Sequence, residues 1–335
     1  MQKNLFKRIV TLACVITLAL VMLGAWVRLT DAGLGCPDWP GCYGKLTPHH
    51  AADHIAGAVA EQGGEHGPVS MGKAWREMIH RYLASFLGLV IVAIAATGII
   101  QRKRLTQPLT LPLALVGVVI MQGLFGKWTV TQDLMPIIVT THLMGGMLTF
   151  GLLVWLWNRQ QSSPRYVDSE PMALLRPFAA LGLGLIVIQI MLGGWTSTNY
   201  AALACGQLPT CKNGLWWPDT DFAKGFELFR HLGKTSAGQG ITIEALTAIH
   251  LSHRIMAVIV FVFIAWLAMR VAKSGERALG RLLALALIAQ VIFGLSNVWF
   301  SLPLPVAVLH NGGAAVLVAL LVTLNYRSYH ARRMV

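Results

Sequence analysis

The chain carries the sequence EMIHR at Glu77–Arg81, directly before the uncharged run Tyr82–Gln101. A carboxylate, an imidazole and a guanidinium are costly beside a hydrocarbon core, so their presence there indicates a function. Glu77 and His80 are three residues apart and therefore share one face of a helix. An altered copy, HLSHR, follows at His250–Arg254. The organisation of the chain can be worked out from these two stretches.

The composition is that of a membrane protein. Of the 335 residues, 55% are hydrophobic and only 12% are charged, and about 20 apolar residues cross a hydrocarbon core. Leu282–Tyr326 is uncharged and long enough for two spans with a turn at Ser301–Pro305. The other runs are Ile9–Val27, Tyr82–Gln101, Leu105–Gly126, Leu134–Asn158, Pro177–Ser197, and Ala245–Met269, which only Arg254 interrupts. The sequence predicts an all-α membrane protein with eight transmembrane helices.

The net charge of +13 lies on one side of the predicted membrane. Sixteen of the 27 lysines and arginines flank alternate helix ends, beside only Asp168, Glu170 and Glu276. The sixteen are Lys3, Lys7, Arg8, Arg102, Lys103, Arg104, Arg159, Arg165, Arg176, Arg270, Lys273, Arg277, Arg281, Arg327, Arg332 and Arg333. This positive-inside pattern predicts a bacterial inner-membrane protein with both termini in the cytoplasm. The charge thus reports topology, and no nucleic-acid partner is expected.

An internal repeat divides the chain into two halves. Segments of the first half return 168 or 169 residues later. The pairs are Met22–Trp26 with Met191–Trp195, Cys36 and Cys42 with Cys205 and Cys211, Gln122–Gly126 with Gln290–Gly294, and His142–Gly146 with His310–Ala314. We expect two pseudo-symmetric four-helix bundles, residues 1–160 and 171–328, related by a two-fold axis along the membrane normal.

Four histidines, His80, His142, His253 and His310, occupy matching places in this repeat. Each is expected within about two turns of the start of an even-numbered helix, so all four lie at similar depth. Paired histidines on facing helices build cofactor sites in bundles, and histidine is an axial ligand of haem iron. Hydrogen-bonded packing is the alternative for a single buried histidine. Zinc or copper fits less well, because two histidines leave a tetrahedral site incomplete.

The residues around the histidines differ between the halves. Arg81 and Arg254 directly follow their histidines and suit either haem propionates or snorkelling to the outer interface. Three residues before the histidine, however, the first half has Glu77 and the second has His250. A membrane-buried carboxylate indicates proton handling or stabilisation of positive charge. One haem site therefore has a reactive group, while the other only holds haem.

Two long outer loops, Thr30–Arg76 and Thr198–Glu244, carry the other chemistry-bearing residues. The pairs Cys36/Cys42 and Cys205/Cys211 have equal spacing and lie on the oxidising side, which favours two local disulfides. Metal binding is the weaker alternative, and a redox-active role stays open. The first loop also contains four histidines, for which a solvated loop is favoured over a metal site. They are His49, His50, His54 and His66.

Taken together, these motifs resemble the haem A synthase family. The resemblance rests on RLT at Arg28–Thr30, GLGCPDWPGCYG at Gly33–Gly44, and ExxHR at Glu77–Arg81, together with His142, His253-Arg254 and His310. It implies a membrane enzyme of cytochrome oxidase assembly that oxidises the ring methyl of haem O to the formyl group of haem A. Successive hydroxylations would give a gem-diol that loses water.

The resemblance also implies roles for individual residues. His80 and His142 would flank the iron of the substrate haem, His253 and His310 would ligate the iron of a resident haem b, and Glu77 would be catalytic. In that family the pair equivalent to Cys36/Cys42 is a disulfide proposed to take part in redox transfer. Expected partners are haem O, haem A, membrane lipid, haem O synthase, an electron acceptor and further copies of the chain. A di-haem b electron-transfer cytochrome and a haem-transfer protein are the alternatives.

Overall fold

The described part of the chain contains eight helices of membrane-spanning length and apolarity, as the sequence predicts. The computed structural model describes residues 2–62, 64, 67, 69–102, 108–161 and 170–331, which contain no β-strand. The helices are α1 Gln2–Leu29, α2 Met71–Ile100, α3 Thr110–Thr131, α4 Pro136–Arg159, α5 Arg176–Thr198, α6 Ile243–Lys273, α7 Arg277–Trp299 and α8 Leu304–His330. Shorter helices are Pro48–Ala51, Ala52–Glu61, Glu170–Leu174 and Phe222–Gly225. The chain is thus an all-α, multi-pass membrane protein.

Two helices begin earlier than their apolar runs indicate. The hydroxyl of Ser70 accepts the Lys73 N–H and caps α2, and the hydroxyl of Thr242 caps α6 in the same way. His142 and His310 are the seventh residues of α4 and α8, within the predicted two turns. His80 and His253, as the tenth and eleventh residues of α2 and α6, lie nearer three turns in. For these two histidines the predicted distance was too short, because both helices begin before the apolar runs from which the distance was counted.

Two other boundaries follow from local chemistry. Helix α3 continues through Lys127, five residues past the predicted end, because a long lysine side chain can carry its charge back to water. The uncharged run Leu282–Tyr326 divides into α7 and α8 at the predicted turn. There Ser301 and Leu302 adopt positive φ angles of 54° and 65°, and proline follows. Both features end a helix.

Helices α1–α4 form the first half, and α5–α8 form the second half. In each half, consecutive helices pack on one another and the first packs on the last. The halves meet where α1 packs on α8 and where α4 packs on both α5 and α8. A core led by Phe6, Ile91 and Leu153 fills the first half, and a larger core around Ile264 and Leu321 fills the second half and reaches α4. The predicted two-fold relation between the halves stays a prediction.

Buried polar side chains form hydrogen bonds between the two halves where α4 packs on α5 and α8. Asn158 of α4 donates its amide N–H to the Thr323 hydroxyl of α8 over 3.1 Å. The hydroxyls of Thr140 in α4 and Thr198 in α5 lie 3.2 Å apart. Hydrogen bonds of this kind join helices in a membrane, where the apolar effect between helices is weak.

Several residues used in the sequence predictions lie outside the part of the chain that the structure describes. They are Lys103, Arg104, Leu105, Arg165, Asp168, Arg332 and Arg333 at the cytoplasmic side of the predicted topology, and His66 in the first outer loop.

Replacing Asn158 with alanine should weaken the contact between the halves. We expect a loss of about 1 kcal/mol in the free energy of unfolding, the size typical of a membrane hydrogen bond. Thermal unfolding of the purified protein in detergent would measure it. Leu148→Ala on the same helix, at a side chain that is 51% exposed, is the control. Equal unfolding temperatures for the Asn158 variant and the native chain would contradict the assignment.

Candidate functional site

The two histidines of the first half face each other across its core. His80 on α2 and His142 on α4 have ring centroids 6.5 Å apart, with an interplanar angle of 71°. Metal–imidazole bonds are about 2 Å long, so this separation is of the size that one metal atom between two rings requires. The structure therefore brings together the pair that the sequence predicts.

Glycines on the neighbouring helices admit the imidazoles. A Cβ atom on Gly24 of α1 would lie 3.0 Å from Cε1 of His80, and one on Gly126 of α3 would lie 3.5 Å from Cε1 of His142. Any larger side chain at Gly24 would push the ring away. The motif MLGAW at Met22–Trp26 thus contains the glycine that allows α1 to pass beside the His80 ring.

The second half repeats these contacts. A Cβ atom on Gly193 of α5 would lie 3.0 Å from Cε1 of His253, and one on Gly294 of α7 would lie 3.2 Å from Cε1 of His310. A glutamine also recurs four residues before the glycine of α3 and the glycine of α7. In each half its side-chain amide donates to the backbone carbonyl of the histidine on the next helix. Gln122 donates to His142 over 2.9 Å and Gln290 to His310 over 3.0 Å.

The unused ring nitrogens fit a haem. Nδ1 of His80, His142 and His310 is buried without a hydrogen-bond partner among the described residues, although buried polar atoms normally have one. The protein supplies only the axial ligands of haem iron, so two histidines in each half are sufficient. In the described part of the chain, no three His, Cys, Asp or Glu residues come close enough to hold a bare metal ion.

Glu77 lies beside the first pair and is 5% exposed. Its Oε2 accepts the backbone N–H of Cys36 over 2.9 Å, and its Oε1 accepts Nη2 of Arg81 over 2.5 Å. Both carboxylate oxygens are therefore hydrogen-bonded to protein groups. The Arg81 guanidinium supplies the opposite charge that a buried carboxylate needs.

His250 takes the place of Glu77 in the second half and is 4% exposed. Its Nδ1 accepts the backbone N–H of Cys205 over 3.1 Å. The two halves thus share one arrangement, in which a side chain of the second or sixth helix accepts the N–H of the first cysteine of a loop. The difference is chemical, because the first half has an acid at this position and the second half has an imidazole.

Comparison with known proteins identifies the family to which the chain belongs. The family model COX15-CtaA, described as cytochrome oxidase assembly protein, matches residues 7–322. The chain belongs to the COX15-CtaA family. A heme A synthase of Shewanella oneidensis is 42% identical over 320 residues, which cover 94% of each chain. Heme A synthases of a Caulobacter species and of Caulobacter vibrioides are 29% and 26% identical, covering 93% and 92% of each chain.

The two arginines that follow His80 and His253 hold the long loops of this COX15-CtaA protein. Nη1 of Arg81 donates to the carbonyls of Asp38 and Gly41 over 2.8 and 2.6 Å. Arg254 donates to the carbonyls of Cys205, Gln207 and Thr210 over 2.5 to 3.0 Å. These contacts were not expected from the sequence, which suggested propionates or snorkelling. The propionate contacts of Arg81 and Arg254 stay a prediction.

The loops themselves contain the predicted disulfides. The structure joins Cys36 to Cys42 and Cys205 to Cys211, and all four are at most 1% exposed. The carboxylate of Asp38 accepts the N–H groups of Tyr43 and Gly44 within the first of these loops. Each loop is therefore a small cross-linked cap, attached to the membrane helix below by its arginine.

The histidines of the first outer loop do not form a metal site in the described residues. His54 stacks on Tyr43 with centroids 6.2 Å apart, and Nδ1 of His50 lies 2.9 Å from the Thr47 hydroxyl. His49, His50 and His54 are all exposed. The fourth histidine, His66, is not among the described residues.

No sequence pattern pointed to Arg230, which is only 2% exposed in the second long loop. Its guanidinium donates to Asn199 Oδ1 and the Lys234 carbonyl, and it lies 5.7 Å from the Trp195 ring centroid. Burial lowers the pKa of Arg230 from its usual value. A lone arginine in a long loop carries no pattern, because its partners come from distant parts of the chain.

The glycine beside His253 provides a test of the second pair. Gly193→Ala should displace the ring by a few tenths of an ångström and reduce haem affinity on the order of tenfold, as disturbed ligand orientation does. Haem retained after purification, measured from the absorption spectrum, would show the loss. Gly184→Ala on the same helix, where a Cβ meets nothing within 4 Å, is the control. Equal haem content in both variants would contradict the role of Gly193.

Proposed function

We propose that the chain is a haem A synthase, which oxidises haem O to haem A for terminal oxidases. The curated relatives that cover nearly the whole chain carry this name. The observation that carries the proposal is Glu77, a buried carboxylate beside the first histidine pair that His250 replaces in the second half. Electron transfer alone does not require this difference.

In this proposal the substrate haem binds in the first half, with His80 and His142 on either side of its iron. In each of two successive hydroxylations, the ring methyl of haem O gains an oxygen atom from water and releases two protons and two electrons, which pass to the acceptor. Loss of water from the resulting gem-diol leaves the formyl group. The enzyme is then an oxidoreductase that acts on a CH group. The two histidines fix the plane and position of the substrate between α2 and α4.

Glu77 is the catalytic carboxylate of this scheme. Because Cys36 and Arg81 bind its two oxygens, the carboxylate cannot rotate and stays in one place on α2. An anion held there accepts the protons that leave the methyl carbon, or stabilises positive charge as it develops on the substrate. The Arg81 guanidinium supplies the opposite charge that a Glu77 carboxylate needs in apolar surroundings.

The second half serves as the electron relay. Electron transfer to an acceptor is the chemistry that a haem b held by His253 and His310 would supply. His250 hydrogen-bonds to the Cys205 loop and offers no carboxylate, so this half binds its haem without reacting with it. Arg81 and Arg254 directly follow the histidines of α2 and α6 in sequence, and we assign them to the propionates.

The charge pattern supports the position of these sites in the cell. The basic residues at alternate helix ends support a location in a bacterial inner membrane with both termini in the cytoplasm. Both disulfide loops then lie outside, where oxidation is permitted. The acceptor of the electrons would meet the protein at the second half.

Glu77→Gln should abolish formation of haem A while the second haem remains bound. The glutamine carbonyl can still accept the Cys36 N–H, but it carries no charge and accepts no proton at neutral pH. Expression in a host that makes haem O, followed by extraction and chromatography of the haems, would measure the product. His250→Gln, which alters the equivalent position of the second half, is the control and should keep the activity.

Two outcomes would count against the proposal. A normal yield of haem A from Glu77→Gln would remove Glu77 from the mechanism. Native protein that contains haem b as its sole pigment, in membranes that contain haem O, would favour the di-haem electron-transfer cytochrome. That alternative has the repeated histidine pairs in its support, since both halves would then hold the same cofactor.

A further inference from the structure

The end of α1 contacts the end of α5 on the outer side of the predicted topology. Nη2 of Arg28 donates to the Ser197 carbonyl over 2.7 Å, and the guanidinium carbon lies 4.0 Å from the ring centroid of Tyr200. The Tyr200 hydroxyl donates to Oδ1 of Asp31 over 2.6 Å, and Nη1 of Arg28 donates to the same oxygen over 3.3 Å. These four residues form one cluster, with two members from each half.

The members of this cluster are equivalent residues of the internal repeat. Arg28 and Ser197 are 169 residues apart, and so are Asp31 and Tyr200. The two helices also end alike, because Asp31 and Tyr200 have positive φ angles of 49° and 55°, and the next residue in each case donates its N–H to a helix carbonyl. A two-fold axis brings equivalent residues into contact only where it passes between them.

A second contact between the halves has the same symmetry at the other end of the helices. Asn158 of α4 donates to Thr323 of α8, and the rings of Trp155 of α4 and Tyr326 of α8 have centroids 5.2 Å apart. The repeat offset of 168 residues pairs Trp155 with Thr323 and Asn158 with Tyr326. Each contact is therefore the counterpart of the other when the halves are exchanged, as an isologous interface requires.

The cluster at the outer end is linked to both histidine sites. Arg28 lies four residues after the glycine of α1 that contacts the His80 ring, and Ser197 lies four residues after the glycine of α5 that contacts the His253 ring. Four residues make about one helical turn, or roughly 6 Å. A bond between Arg28 and Ser197 therefore joins the two helices that flank these rings, close to the rings themselves.

We propose that Arg28, Asp31 and Tyr200 form a latch at a pseudo-two-fold axis, and that this latch holds the two histidine sites at the separation that electron transfer between their haems requires. The inference rests on the proposed function in one respect, the passage of electrons from the substrate haem to haem b. The rate of such a transfer falls steeply with distance. Loosening the latch therefore slows the transfer and leaves each histidine pair intact. Arginine suits this place, because its planar guanidinium can stack on a ring and donate hydrogen bonds at the same time.

Arg28→Met tests the latch, since it keeps an unbranched side chain and removes the guanidinium. Nitroxide labels at Gln132→Cys and Phe300→Cys would report the distance between the halves in the purified full chain, with Cys14→Ser as the background. These two labelled positions are exposed and lie at equivalent ends of α3 and α7. Double electron–electron resonance should give a longer mean distance and a wider distribution in Arg28→Met than in the chain with Arg28.

Arg281→Met is the matched control and should keep the native distance distribution. Arg281 is exposed in the second turn of α7, at the opposite end of the helices. Tyr200→Phe keeps the ring beside the guanidinium but loses the bond to Asp31, so it should give an intermediate distribution. A role in stability alone would lower the unfolding temperature without changing the distances in the folded chain.

Turnover shows what the loosened latch does to the reaction. In Arg28→Met we expect kcat for haem A formation to fall by about tenfold, as small displacements of reacting groups do. The KM for haem O, the haem b content and the midpoint potential of haem b should stay native, because the latch contacts neither histidine pair.

A native distance distribution in Arg28→Met would overturn the inference. A native kcat with a wider distribution would overturn the link to electron transfer, and a changed KM or haem b content would indicate altered binding instead. If the variant does not accumulate, Asp31→Asn/Tyr200→Phe gives the same readouts. Failure of the proposed function is distinguishable, since a native chain that makes no haem A, but whose distances widen in Arg28→Met, would keep the latch and lose the function.

Discussion

Four imidazoles each lie against a glycine of a neighbouring helix, and this close approach governs how each half is built. Because a Cβ at Gly24 or Gly193 would come within 3.0 Å of a ring carbon, α1 and α5 pass the histidines at a distance that other side chains do not permit. The rings can then point into the cores of their own halves. The cost of placing polar rings in an apolar interior is consistent with a ligand that uses their nitrogens.

The two disulfide loops hold the residues that differ between the halves. Each disulfide loop is attached by an arginine to the helix below it and presents one cysteine N–H to the residue four positions before that arginine. The acceptor is Glu77 in one half and His250 in the other. A single duplicated framework therefore supports two different chemistries, because the exchanged residue changes the charge of the site and leaves its hydrogen bond in place. Duplication explains the shared frame, and the exchange explains why the proposed reaction occurs in only one half.

Most of the fold and the pairing of the histidines could be predicted from the sequence. Apolar runs of fixed length, alternating charge and a repeat at constant offset are local patterns, so they gave eight helices and the pairing of His80 with His142. The start of α2 was placed too late, because a polar first turn capped by Ser70 does not differ in composition from a loop. The contacts of Arg28, Arg81 and Arg230 escaped prediction because each depends on the position of a backbone carbonyl or ring from another segment.

The division of labour between the halves is the central claim, and the haem retained by two double variants tests it most directly. His80→Ala/His142→Ala and His253→Ala/His310→Ala would be purified from a host that makes haem O, and their pigments would be extracted and separated by chromatography. The account predicts that the first variant keeps haem b and has neither haem O nor haem A, whereas the second loses haem b. Loss of haem b from the first variant with its retention in the second, or the same pigment in both, would contradict it.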